Sequence, residues 1–82
     1  MNNFLVYILK SKVNNKHYFG HTSNLEKRLS DHNSGLSTYT KKFKPWELIY
    51  FEEFSTRSEA MKREKFFKSI SGYHWLKENN SI

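Results

Sequence analysis

Phe4-Leu5-Val6-Tyr7-Ile8-Leu9 is apolar at every position, with no polar alternation. Such a run predicts a strand covered on both faces rather than one that borders water. Asn14-Asn15 supplies turn chemistry, and Lys16 to Gly20 is predicted to return as a second, antiparallel strand. Alternation along that strand points His17 away from Tyr18, so His17 is read as a surface residue and His21 as part of the turn that follows. Ser23-Asn24-Leu25-Glu26 has the spacing of a capping box, which opens a helix with Leu25 and Leu29 on its buried side and an end near Gly35. Ser37 to Lys44 is polar and basic and reads as an exposed loop closed by Pro45.

Trp46 to Phe54 alternates well enough for a third strand, and Thr56-Arg57-Ser58-Glu59 forms a second capping box. The helix after it is expected to run to about Ile70, where Gly72 breaks it and Tyr73-His74-Trp75-Leu76 opens a short last helix. The expected fold class is α+β, one domain over residues 1–82. A small three-stranded antiparallel sheet is flanked by helices in the order β-β-α-β-α-α.

Composition narrows the function classes. Fourteen Lys and Arg against eight Asp and Glu give a net charge of +6, which favours a polyanionic partner, nucleic acid before a membrane surface. With no cysteine, a disulfide framework and a thiolate metal site are excluded. The longest apolar run is too short for a membrane span and nothing resembles a signal peptide, so a cytoplasmic location is expected. A chain of 82 residues buries only about 60–65% of its unfolded surface, so modest stability is expected.

The second long helix carries an anomaly. Ala60, Met61, Phe67 and Ile70 define an apolar arc at helical spacing, and Glu64 falls inside it. A half-buried carboxylate calls for a partner: an ion pair with Lys68 or Arg63, or a divalent metal. Arg28 and His32, four apart, share one helix face beside the Leu25/Leu29 stripe. A solvated basic face accounts for them, and so does a phosphodiester site. There a guanidinium matches the developing phosphate charge and a histidine moves a proton near neutrality. Tyr7 and Tyr18 lie on adjacent strands, where packing is the ordinary role; ionising a tyrosine of pKa ~10 at neutral pH costs roughly 4 kcal/mol without help. The Ser37–Lys44 segment interleaves Lys41, Lys42 and Lys44 with hydroxyls and aromatics, which suits either a solvated loop or contact with backbone phosphates.

Taken together, Leu5-Val6-Tyr7, then Tyr18-Phe19-Gly20 ten residues on, Arg28 and His32 on the next helix and Glu64 late in the chain form a pattern. It resembles the GIY-YIG nuclease family, in particular its small single-domain members similar to the N-terminal domain of UvrC. The resemblance covers nearly the whole chain. It implies metal-dependent hydrolysis of DNA phosphodiesters with one Mg²⁺ or Mn²⁺ ion and low intrinsic sequence specificity, in the setting of DNA repair or recombination. By the same resemblance Tyr7, Tyr18, Arg28, His32 and Glu64 are catalytic residues, with one tyrosine helping to activate water. Arg28 stabilises charge on the phosphate, His32 supports the tyrosine or proton transfer, and Glu64 holds the metal. Gly20 lets the chain turn beside the site, and His21 occupies a position that can approach nucleic acid. The first motif lacks its glycine, and where larger members carry a late Asn this chain has Leu76. No further DNA-binding domain is seen, so a protein partner that supplies specificity is compatible with the chain.

Two other readings stay open from the residues: a nucleic-acid-binding module of the same fold that cuts weakly, and an adaptor whose aromatic surface docks on a protein. The nuclease reading requires Tyr7, Tyr18, Arg28 and Glu64 to converge on one open groove.

Overall fold

The computed structural model of the protein describes residues 3–36 and 38–82; Ser37, the first residue of the expected basic loop, lies outside the described residues. The chain forms β1 (Phe4–Ser11), β2 (His17–Thr22), α1 (Leu25–Ser34), a short 3₁₀ turn (Thr40–Phe43), β3 (Trp46–Phe54), α2 (Arg57–Phe67) and α3 (Ile70–Glu78). The sheet is antiparallel with order β2-β1-β3, so the wholly apolar strand is the central one. This is the expected α+β order. Among the described residues no helix is long and apolar enough to cross a membrane.

β1 divides the interior in two. Val6 and Ile8 face α2 and α3, packing with Ala60, Phe67 and Leu76. Tyr7 and Leu9 face the other way and pack with Trp46, Tyr18, Leu25, Leu29 and Phe43. Period-2 alternation on a strand buried on both sides therefore builds two cores, and Tyr7 belongs to the one roofed by α1. The Leu76 position is fully buried packing, which accounts for an aliphatic residue there.

Local details depart from the sequence reading. β2 runs two residues past Gly20, because the ladder continues through Val6↔His21 and Leu5↔Thr22. His21 is thus a strand residue and Gly20 is not at a turn. His17 is half-buried, paired opposite Lys10, rather than a free surface residue. The cap of α1 is Asn24, not Ser23: Asn24 Oδ1 accepts from the Lys27 amide at 3.1 Å. The Asn24 amide donates to Thr22 Oγ1 at 3.0 Å, and Lys27 at the third helical position leaves no glutamate to close a box on Asn24. Gly35 ends α1 in the left-handed region at φ 87°. The capping box at Thr56/Glu59 forms with both of its bonds.

The expected arc on the second helix also changes. α2 ends at Phe67, since Ser69 caps a new helix by accepting from the Gly72 amide at 3.1 Å. Ile70 therefore starts α3 and is 80% exposed, and Met61 is 50% exposed; the buried stripe is Ala60 and Phe67. Gly72 does not break a helix but sits inside α3, where an added Cβ would lie 1.9 Å from the Phe66 carbonyl oxygen. The basic segment is not wholly an exposed loop, because Thr40 is fully buried and accepts from Trp46 Nε1 through its carbonyl at 2.8 Å.

Candidate active site

Gly20 is the residue around which the site forms. It pairs directly with Tyr7 on β1. A Cβ there would lie 2.5 Å from the Tyr7 hydroxyl and 2.7 Å from Cζ. The glycine lets the phenol lie flat against the β2 backbone, a close approach rather than a turn. The Tyr7 side chain, 1% exposed, then reaches α1, where its hydroxyl lies 3.2 Å from His32 Nε2, with Arg28 bordering the same cleft.

His32 is fully buried, and its other nitrogen, Nδ1, is 2.8 Å from Thr40 Oγ1. A guanidinium only donates, so toward Arg28 the Tyr7 oxygen can serve only as an acceptor. The assignment that uses the remaining atoms sends the Tyr7 proton to Nε2 and the Nδ1 proton of a neutral imidazole to Thr40. Burial, followed by the nearby Arg28 charge, lowers the His32 pKa and keeps the ring neutral. Burial raises the Tyr7 pKa, with Arg28 pulling against it, so the phenol keeps its proton at neutral pH. The Tyr7 hydroxyl in turn raises the Arg28 pKa.

Tyr18, on the neighbouring strand, is half-buried, its ring 4.7 Å from that of His32 and 6.3 Å from that of Tyr7. Tyr39 closes over it at 6.4 Å.

The carboxylate arrives from the other side of the sheet. His21 pairs with Val6, so its side chain shares the face covered by α2. There its Nδ1 is 2.6 Å from Glu64 Oε1, while Lys68 Nζ is 2.7 Å from Oε2. Burial pushes the Glu64 carboxyl up, but the hydrogen bonds from Lys68 and His21 outweigh it and hold the group below the ordinary value. The half-buried carboxylate is therefore ionised and paired. Of the partners open from sequence, Lys68 is used; Arg63 instead binds Glu52 through Nε at 2.7 Å.

These groups line one open cleft of about 370 Å³ at the β2 edge, bordered by Tyr7, Tyr18, Gly20, His21, Arg28 and Glu64, with Tyr39 and Lys68 at the rim. Four of the five residues expected to be catalytic thus share a groove. The fifth, His32, does not line it and lies buried against Tyr7 and Tyr18. His17 borders the cleft, but the charges nearest its ring are Lys10 and Lys77, on the α3 side. Lys41, Lys42 and Lys44 are exposed on or beside the 3₁₀ turn and do not line the cleft. Thr40 was not singled out in the sequence; a threonine within a polar lysine-rich segment carries no local mark of burial.

Glu64 suits a hard divalent cation in one respect: it offers an ionised carboxylate at an open cleft, where water and a phosphate oxygen can complete an octahedral shell. Among the described residues no group of three or more His, Asp or Glu surrounds it, so the protein would supply at most two such ligands, Glu64 and the adjacent His21.

This fold, with paired strand tyrosines, an arginine on the first helix and a glutamate on the second, defines a class. The GIY-YIG catalytic domain matches residues 3–80, and the chain belongs to that family. It is 47% identical over 73 residues to a UPF0213 protein of Staphylococcus haemolyticus, covering 88% of each chain. It is 45% identical over 71 residues to the UPF0213 protein YazA of Bacillus subtilis, covering 85% of this chain and 71% of YazA. The solution structure of a UPF0213 protein from Bacillus halodurans superposes with a TM-score of 0.58 at 30% identity, covering 96% of this chain and 86% of that one.

Proposed function

We propose that the protein is a metal-dependent endonuclease that hydrolyses DNA phosphodiester bonds with little sequence preference. The observation that carries this reading is the convergence of Tyr18, Arg28 and Glu64 on one open cleft, with the bonded pair Tyr7 and His32 packed against Tyr18. Glu64 would hold one Mg²⁺ or Mn²⁺ ion, which when bound supplies Lewis-acid stabilisation of charge on the phosphoryl oxygen. Arg28 places a permanent charge where the non-bridging oxygens gain negative charge. The Tyr7 hydroxyl, buried and bonded to His32 behind the cleft, is given a positioning role rather than direct contact with substrate. Tyr18, half-buried and in the cleft, is the phenol with access to a water or a phosphate oxygen. His32, neutral and held by Thr40, can take a proton from the Tyr7 hydroxyl bonded to its Nε2.

One observation favours the weaker-cutting module: both Glu64 oxygens are already engaged, by His21 and Lys68, and a cation must displace one of them. Supercoiled plasmid incubated with Mg²⁺, Mn²⁺ or EDTA separates the two. The enzyme reading expects metal-dependent nicking that Glu64→Gln and Arg28→Ala reduce by at least about 10²-fold while the fold is kept. Equal nicking by wild type and Glu64→Gln overturns it. DNA binding without cleavage under any metal leaves the binding module.

A further inference from the structure

The cleft does not end at Glu64. Along α2 it is continued by a shallow depression of about 170 Å³, walled by His21, Met61, Lys65 and Lys68, and then by a concavity of about 470 Å³ walled by Arg57, Met61, Lys62 and Lys65. The first shares Glu64 and Lys68 with the cleft and the second shares Met61 and Lys65 with the first, so the three form one furrow.

The furrow is basic and its cations are available. Lys62 and Lys65 are exposed and form no ion pair among the described residues. The two carboxylates of α2 are used elsewhere, Glu59 in the capping box with Thr56 and Glu64 by His21 and Lys68. Met61, half-exposed between the lysines, offers a polarizable apolar surface suited to sugar or base edges. Lys41 and Lys42, equally exposed on the 3₁₀ turn, do not line the furrow, and Lys44 beside them is engaged. Lys44 Nζ would lie 3.5 Å from a Cβ on Gly35, which places that ammonium at the C-terminus of α1, where helix carbonyls attract it.

We infer that the outer face of α2, through Lys62 and Lys65, is the track on which the phosphate backbone of a nucleic-acid duplex lies as it leaves the cleft. This rests on the nuclease-fold reading of the site and names the surface that holds its substrate. From Arg57 to Lys68 the helix spans about 16 Å, roughly five base-pair steps of duplex. Two phosphates held beyond the scissile one would fix the backbone direction across Glu64 and Arg28 without reading bases.

The test is binding, not cleavage, so it is independent of catalytic competence. Anisotropy of a short fluorescein-labelled DNA duplex is measured in EDTA across a potassium chloride series. The proteins are wild type, Lys62→Gln/Lys65→Gln and Lys41→Gln/Lys42→Gln, each checked by circular dichroism and thermal melting. The α2 pair should weaken binding about tenfold and lower the slope of log K against log salt by about 1.8, since each neutralised phosphate contributes about 0.9. The other pair removes the same formal charge and should change the slope by less than about 0.5. Equal effects of both pairs, or a larger effect of Lys41→Gln/Lys42→Gln, overturn the track while leaving the nuclease reading standing. A wild type that does not bind duplex overturns both.

Discussion

His21 Nδ1 and Glu64 Oε1 lie 2.6 Å apart although 43 positions separate them in the chain. The contact joins β2 to α2 across the edge of the sheet and fixes one oxygen of the carboxylate, while Lys68 fixes the other. The anomaly of a glutamate beside an apolar stripe is thus resolved by two partners, one a helical turn away and the other on a distant strand.

Replacing His21 with Ala removes one of the interactions that hold the Glu64 carboxyl down, so its pKa should rise toward the ordinary value. A carbon-detected NMR titration of the Glu64 carboxyl reads this directly. The loss of stability should stay within about 1 kcal/mol, because both groups are partly open to water. An unchanged or lowered Glu64 pKa would show that the contact is absent in solution.

Gly20→Ala tests the close approach of Tyr7. The new methyl would need space now held by Tyr7 Oη and Cζ, within 2.5 and 2.7 Å. The ring must shift from its present place, disturbing its contact with His32, at a cost of about 1–3 kcal/mol from overpacking. Urea denaturation gives the stability loss, and the Tyr7–His32 contact can be followed by the His32 ring nitrogen shifts. An alanine variant with wild-type stability and shifts would refute the steric account.

Thr40 holds His32 from the side away from Tyr7. Thr40→Val keeps the shape and removes the hydroxyl, leaving Nδ1 without its partner at a fully buried ring, with a cost of about 1–3 kcal/mol. The imidazole should lose its single tautomer, seen in ¹⁵N shifts, while Thr40→Ser restores both stability and shifts. If the valine variant keeps the wild-type tautomer, Thr40 is a packing residue only.

Acidification should destabilise the fold through His32. Burial and then Arg28 lower its folded pKa, and the unfolded chain, with an ordinary value near ~6.5, binds the proton more readily. Its contribution is therefore present above about pH 6.5 and is lost as pH falls through the folded value. His17 is lowered too, by burial and by Lys10 and Lys77, and adds to the same window. Denaturation midpoints of wild type, His32→Gln and His17→Gln between about pH 7 and pH 5 separate the two, and each variant should show a shallower fall than wild type. A His32→Gln variant with the wild-type slope would place the pH dependence elsewhere.

Much of the architecture was written in short-range patterns. The unbroken apolar run at Phe4–Leu9 reads as a strand covered on both faces, and it is the central strand, with Val6 to Leu9 fully buried. The Thr56/Glu59 box specified the start of α2, since its two bonds close within four residues. The identities of Tyr7, Tyr18, Arg28 and Glu64 as candidates came from their types and spacing.

Packing decided the rest. That Asn24 and not Ser23 caps α1 goes with where the chain leaves β2 after Thr22. Whether Ile70 was core depended on Ser69 starting a new helix against α2. The need for Gly20 lies in a phenol on the next strand, the burial of Thr40 in a histidine on α1, and the pairing of Glu64 in a histidine on β2. Each is a contact between elements far apart in the chain, set by how sheet and helices pack. Local periodicity records which face a side chain takes, not which side chain meets it there.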